Sequence, residues 1–252
     1  MRNLLLAILT LAAAPAIAED NLKLFSTDIN VRTGLTFKVA DTVVQKMLPA
    51  GWELNSPTAG PTKGFNLGIT LIDYVMVQDP EGKPLPPRNI IVLNIPAKKA
   101  GSSEAVTMVF GGFIAPAGVP GAYSVYGPAN ITVDRRSHTG PDGKSMINET
   151  WQAKADDGSL LDIQIEFERG VPARGKVEAK IHSAAKPTFY RIYRFEQAAD
   201  VARSTAASID RVSKFSFKAT GPTLGPIFDG TEQLISITSI PSYSRSIYLP
   251  VM

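Results

Sequence analysis

No cysteine occurs among the 252 residues of this chain. That excludes disulfides, zinc–thiolate sites, iron–sulfur clusters, thiol nucleophiles and a lipid-modified cysteine. Histidine is almost as scarce. His138 and His182 are the only two, too few for most histidine-rich metal sites, so neither a metal nor a cofactor is expected. Charge is sparse as well: 19% of residues are charged and the formal net charge is +3, too small a surplus to mark a nucleic-acid surface. Beyond the N-terminus no run is apolar over the ~20 residues that span a bilayer as a helix. What remains is a globular balance, 44% hydrophobic, which fits neither a disordered tail nor a fibrous repeat.

The N-terminus has the layout of an export signal. Met1-Arg2-Asn3 is a short basic start, Leu4 to Ala14 is apolar, and Ala16-Ile17-Ala18 offers small residues at both cleavage positions. Residues 1–18 are therefore expected to be removed, leaving residues 19–252 as one domain. The destination is then the periplasm or the medium, with no stable membrane insertion after cleavage.

Strand patterns dominate the mature chain. Leu161, Ile163, Ile165 and Phe167 alternate with Asp162, Gln164, Glu166 and Glu168, the signature of a strand with one buried face. Val177, Ala179 and Ile181 alternate with charged neighbours in the same way, which puts His182 on the wet face. Asp156-Asp157-Gly158 reads as a hairpin turn. Further strands are expected near 65–77, 90–95, 106–113, 131–135, 189–195, 211–218 and 234–240. Helix signals are few: Asp41 is expected to cap Thr42 to Leu48, and a thin apolar pattern suggests a second helix over 197–205. Proline (19) and glycine (20) are spread through the chain and mark turns, with no linker or repeat. Many strands and few helices predict a mainly β fold, a single large antiparallel barrel-like domain.

Chemistry-bearing motifs are weak. Neither histidine accompanies a Gly-x-Ser-x-Gly elbow; His138 is expected in a turn-rich loop. Gly60 to Gly64 lacks the Lys-Ser/Thr ending of a phosphate loop. Lys98-Lys99 is the kind of pair that lowers an amine's pKa for Schiff-base work, but its flanks, Pro96-Ala97 and Ala100-Gly101, predict an exposed loop. Tyr190 to Phe195 mixes aromatics and arginines as a barrel wall does, and Asp134-Arg135-Arg136 reads as a solvated strand end.

Two stretches carry a family likeness. Thr220-Gly221-Pro222-Thr223-Leu224-Gly225-Pro226-Ile227-Phe228-Asp229 resembles the Gly-Pro-x-Leu and Phe-Asp segment of the acetoacetate decarboxylase superfamily. Phe37 to Asp41, with Leu48-Pro49-Ala50-Gly51-Trp52-Glu53-Leu54, resembles its strand, short helix and Leu-Pro turn. The resemblance implies a β-barrel-like domain around a pocket and decarboxylation through a lysine pair. The segment matching that pair is Pro120 to Pro128, where Ser124, Val125 and Tyr126 stand in place of the lysines. It also places the family's first-strand arginine at Lys38 and its pocket glutamate at Glu81. Without the amine no Schiff base forms. The resulting expectation is an exported protein that binds a small, partly apolar molecule (a keto acid, lipid fragment or aromatic) through Lys38, Glu81, Tyr123 and Tyr126. The alternative is a decarboxylase or lyase that uses another pocket lysine, or Tyr126 with Glu81 as an acid/base pair. The sequence assigns neither catalytic residues nor an oligomeric state.

Overall fold

The computed structural model describes residues 22–251; the expected export signal and its cleavage site lie outside them. The strands are β1 (Leu22–Lys38), β2 (Trp52–Leu54), β3 (Leu67–Gln78), β4 (Pro84–Leu85), β5 (Asn89–Lys99), β6 (Val106–Ile114), β7 (Gly127–Thr139), β8 (Ser145–Ala155), β9 (Leu160–Glu168), β10 (Ala173–Ser183), β11 (Tyr190–Ser204), β12 (Ile209–Asp210), β13 (Val212–Thr220) and β14 (Gln233–Pro250). One short helix, α1 (Asp41–Gln45), lies between β1 and β2.

Strands β6, β10, β11, β14, β1, β3 and β5 are hydrogen-bonded in that order, and β5 pairs back with β6. The ring closes into a barrel, which removes its sheet edges. A second layer, β7–β8–β9–β13, is antiparallel throughout. It joins the barrel by a short parallel contact, Phe113 with Gly127 and Ile114 with Pro128. The β6–β10 pairing is also parallel, so the sheet is mixed where a purely antiparallel one was expected.

The two faces of the barrel wall bury different things. Leu35, Phe37, Leu67, Ile69, Leu71, Ile91, Leu93 and Ile95 point outward against Trp151, Leu161, Ile163, Ile165 and Phe167 of the second layer. The β9 alternation behaves as the sequence predicts, with Ile163 and Ile165 at 0% exposure. The inner faces contribute Ile72, Ile90, Val92, Val109, Tyr193 and Ile247 to a separate cluster.

Several local expectations are corrected. Residues 197–204 are the second half of β11, paired with β14 from Gln197 to Ser204, and Thr205 begins the turn that follows; alternate burial of Asp200, Ala202 and Ser204 satisfies a strand where the helical pattern was thin. Asp41 is the first residue of α1 and caps nothing. Its carboxylate takes hydrogen bonds from Lys38 and Asn66, which hold its pKa below the usual carboxylate range. Lys98 and Lys99 end β5, opposite Glu53 and Trp52 of β2, so they form a strand end and not a loop. His138 sits near the end of β7 opposite Met146. His182 is buried between the rings of Trp52 and Tyr190, at 4.9 and 5.1 Å. Arg135 is no solvated end: it bonds Asp73 and the buried Glu149, and so ties the second layer to the barrel.

Candidate functional site

The barrel interior holds charge, and β1 supplies much of it. Ser26, Asp28, Asn30 and Arg32 alternate inward with a period of two, all buried. On β14 the same alternation turns Tyr243, Arg245 and Ile247 inward. The β1–β14 register sets Asp28 opposite Arg245, and their side chains meet with Arg245 Nε donating to Asp28 Oδ2 at 2.6 Å. Arg245 Nη2 donates to the Tyr74 hydroxyl, also at 2.6 Å. Asn30 donates to Asp28 and accepts from Arg32 Nε. The result is a chain of polar groups, Arg32–Asn30–Asp28–Arg245–Tyr74, across the inside of the barrel.

Aromatic rings enclose the two guanidinium groups. Arg32 stacks 3.6 Å over Tyr243, and Arg245 lies 4.6 Å over Tyr193. Such contacts stabilise a desolvated cation. Burial, and then the charge of Arg245, lowers the pKa of Arg32. For Arg245 burial acts downward too, but Tyr74, Asp28 and the other neighbours outweigh it and the pKa is raised. Both groups stay charged at neutral pH. The cluster therefore sets two buried guanidiniums against the single carboxylate of Asp28. Arg32 Nη2, fully buried, has no hydrogen-bond partner among the described residues. A buried cationic donor left unsatisfied is costly, and an anionic oxygen would satisfy it.

The remaining wall comes from the segment where the family likeness places the lysines. Ser124, with φ 58°, occupies the left-handed region that few non-glycine residues adopt. The turn around it, closed by Tyr126 N–H to Pro120 O, drops Tyr123 and Tyr126 into the interior. Glycine makes room for Tyr126 on two sides. A Cβ at Gly112 would overlap the Ile91 carbonyl oxygen, and one at Gly121 would overlap the Tyr126 ring. Tyr123 and Tyr193 share a short hydroxyl–hydroxyl hydrogen bond. Burial, and then the neighbouring Tyr193, raises the pKa of both Tyr123 and Tyr126. These phenols are neutral donors and acceptors at pH 7, not bases.

Of the four residues expected at the site, the structure brings Tyr123 and Tyr126 together and separates the other two. Lys38 lies at the far end of β1, opposite Gln233, in an exposed ion pair with Asp41 at 2.6 Å. Glu81 sits in the exposed turn between β3 and β4. Asp28, Asn30, Arg32, Tyr74, Tyr193, Tyr243 and Arg245 were not among the residues expected at the site. Their signal was present as Asp28-x-Asn30-x-Arg32 and Tyr243-x-Arg245, polar residues spaced by two within strands. Read without the fold, that spacing describes a solvent-facing side. Among the described residues no group of three or more histidines, aspartates or glutamates is placed to hold a metal ion.

No family model and no curated protein matches the sequence. Solved structures do. The enduracididine biosynthesis enzyme MppR complexed with pyruvate aligns with a TM-score of 0.56 over 88% of this chain and 88% of its own, at 10% identity. MppR complexed with the condensation product of pyruvate and imidazole 4-carboxaldehyde aligns with a TM-score of 0.55 over 88% of this chain and 87% of its own, at 9% identity. An acetoacetate decarboxylase-like enzyme from Sphingomonas wittichii RW1 aligns with a TM-score of 0.53 over 93% of this chain and 95% of its own, at 11% identity. With the closed barrel, the covering second layer and these alignments over most of both chains, this protein has the acetoacetate decarboxylase-like fold.

Proposed function

We propose that this is an exported protein that binds a small carboxylate with a partly apolar body, of the oxo-acid class, inside its barrel and without Schiff-base chemistry. The observation that carries the reading is Arg32: a fully buried guanidinium, stacked on Tyr243, whose Nη2 has no partner among the described residues. A carboxylate oxygen completes its donor set, and Arg32, Arg245 and the half-buried Arg191, whose Nε also lacks a partner among the described residues, outnumber the carboxylate of Asp28. Apolar walls at Ile72, Val92, Val109 and Ile247 receive the rest of the ligand. MppR, which shares the fold, has been captured with pyruvate, a member of that class.

The absence of Schiff-base chemistry is supported by where the amines lie. Lys38 and Lys98 are engaged with Asp41 and Glu53, and Ser124, Val125 and Tyr126 stand where the family likeness expects the lysine pair. An arginine does not replace them, because its guanidinium stays protonated and is no nucleophile. Nor does Tyr126 serve as the base of an acid/base pair, since burial raises its pKa and Glu81 sits in a solvent-exposed turn. Export rests on the N-terminal pattern of residues 1–18, with Glu19 as the mature start.

The test is titration of the mature protein with pyruvate, acetoacetate and phenylpyruvate, followed by isothermal calorimetry. Binding that is lost in Arg32→Met is the expected result. Equal affinity in wild type and Arg32→Met overturns the site. A stoichiometric borohydride-trapped adduct on one lysine, with release of carbon dioxide, overturns the binding-only reading. N-terminal sequencing of exported material should begin at Glu19.

A further inference from the structure

A second space lies at the seam between the barrel and the second layer, with Val125 and Tyr126 of the inner cluster on one side of it. The outer sides of β5 and β6 and the 124–128 segment border a cavity of about 510 Å³, closed on its other sides by Met47 of the α1 turn, the β8–β9 hairpin and the loop carrying Thr223 and Ile227. That volume is in the range of small-molecule sites, roughly 300–1,000 Å³. Its walls are apolar at Leu93, Phe110, Phe113, Val125 and Ile227. Its floor is Gly111–Gly112, next to the point where the β5–β6 register slips between Leu93 and Asn94.

At the rim stands Asp157, the one carboxylate among the lining residues. Three donors fix it: the Ser159 N–H at 2.8 Å, the Ser159 hydroxyl at 3.0 Å and the Thr223 hydroxyl at 2.6 Å. Those bonds, that from Thr223 first, hold its pKa below the usual carboxylate range. Among the described residues Asp157 forms no ion pair. A positioned, ionised carboxylate without a counter-charge, at the edge of an apolar cavity, recognises an organic cation whose body is greasy. The barrel interior carries the opposite sign.

We propose that this seam cavity is a separate binding site for apolar ammonium compounds, with the alkyl or aryl body between Leu93, Phe113 and Ile227 and the cationic head on Asp157. The proposal does not depend on the carboxylate site in the barrel. Its test uses n-octylammonium, n-octanol and n-octanoate, three probes with equal chains and different heads, each followed by methyl NMR of the full mature protein. Octylammonium is expected to bind tightest and octanoate weakest, with shifts on the Leu93, Val125 and Ile227 methyls. Loss of an exposed ion pair is worth roughly two- to fivefold in affinity, so Asp157→Asn should weaken octylammonium by about that factor and leave octanol unchanged. Ala155→Leu, which fills the cavity from β8, should abolish binding of octylammonium; Phe110→Trp is the second filling variant should Ala155→Leu fail to fold. The proposal is overturned by equal binding of the three probes, by no binding of octylammonium, by indifference to Asp157→Asn and to both filling variants, or by shifts that fall on Ile72 and Ile247 inside the barrel.

Discussion

The same barrel strands carry two clusters on their opposite faces, and the clusters are built by different rules. Outward, between barrel and second layer, aliphatic and aromatic side chains interlock: Trp151, Phe37, Phe167, Leu67 and Ile163 are all at 1% exposure or less. Inward, Ile72, Val92 and Ile247 share their space with Asp28, Asn30, Arg32 and Arg245. A buried ion pair seldom contributes net stability against well-packed apolar groups. The outer cluster therefore does the holding. The inner one keeps polar groups that packing alone does not favour, which is why the proposed ligand is placed there.

The sharpest way to break this contrast is a charge in the outer cluster. Ile163→Asp buries an unpaired carboxylate between the layers and should cost about 5 kcal/mol, enough to unfold most of the protein; a thermal melt coinciding with the parent would show that the β9 inner face is misassigned. Inside the barrel, Asp28→Asn removes the carboxylate that bonds Arg245 and should cost about 3 kcal/mol by chemical denaturation. The companion double variant Asp28→Leu/Arg245→Met should recover most of that loss, since it removes both charges together. If the double variant is as unstable as the single one, the inner cluster is holding the fold and the comparison fails.

Arg32→Met should behave differently again. Removing a desolvated cation that has an unsatisfied donor should leave stability within about 1 kcal/mol of wild type, or raise it, while the carboxylate affinity described above disappears. A large loss of stability would make Arg32 a structural residue.

The smallest effect concerns pH. Burial, followed by the charge of Lys180, depresses the pKa of His182 below its ordinary value of 6.5, although the carbonyl of Pro187 opposes this. The folded protein then binds this proton less readily than the unfolded chain. The stability owed to His182 is fully present above about pH 6.5 and is lost as pH falls through that value toward the lower folded pKa. His182→Phe should flatten the dependence of melting temperature on pH between 7 and 5 while leaving the profile above 7 unchanged. An unaltered profile would assign the titration to other groups.

Much of the outer cluster was legible in the chain itself. Leu161, Ile163, Ile165 and Phe167 alternate so regularly that their face, the hairpin at Asp156-Asp157-Gly158 and the strand class follow from periodicity alone. The absence of cysteine, the scarcity of histidine and the presence of Ser124, Val125 and Tyr126 where the family resemblance implies lysines likewise need no coordinates. The inner cluster was not legible, because a strand with Asp28, Asn30 and Arg32 at alternate positions has the same pattern whether that face meets water or the inside of a closed barrel. Closure of β5 onto β6 decided which it was, by enclosing a face that an open sheet would have left wet. The two ends of the chain, β1 and β14, become neighbours only in the tertiary structure, and it is their register that sets Asp28 against Arg245 and brings Arg32 to Tyr243. Glu81 and Lys38 were left outside for the same reason: spacing along the chain fixes which face a residue occupies, but not which end of the barrel that face reaches.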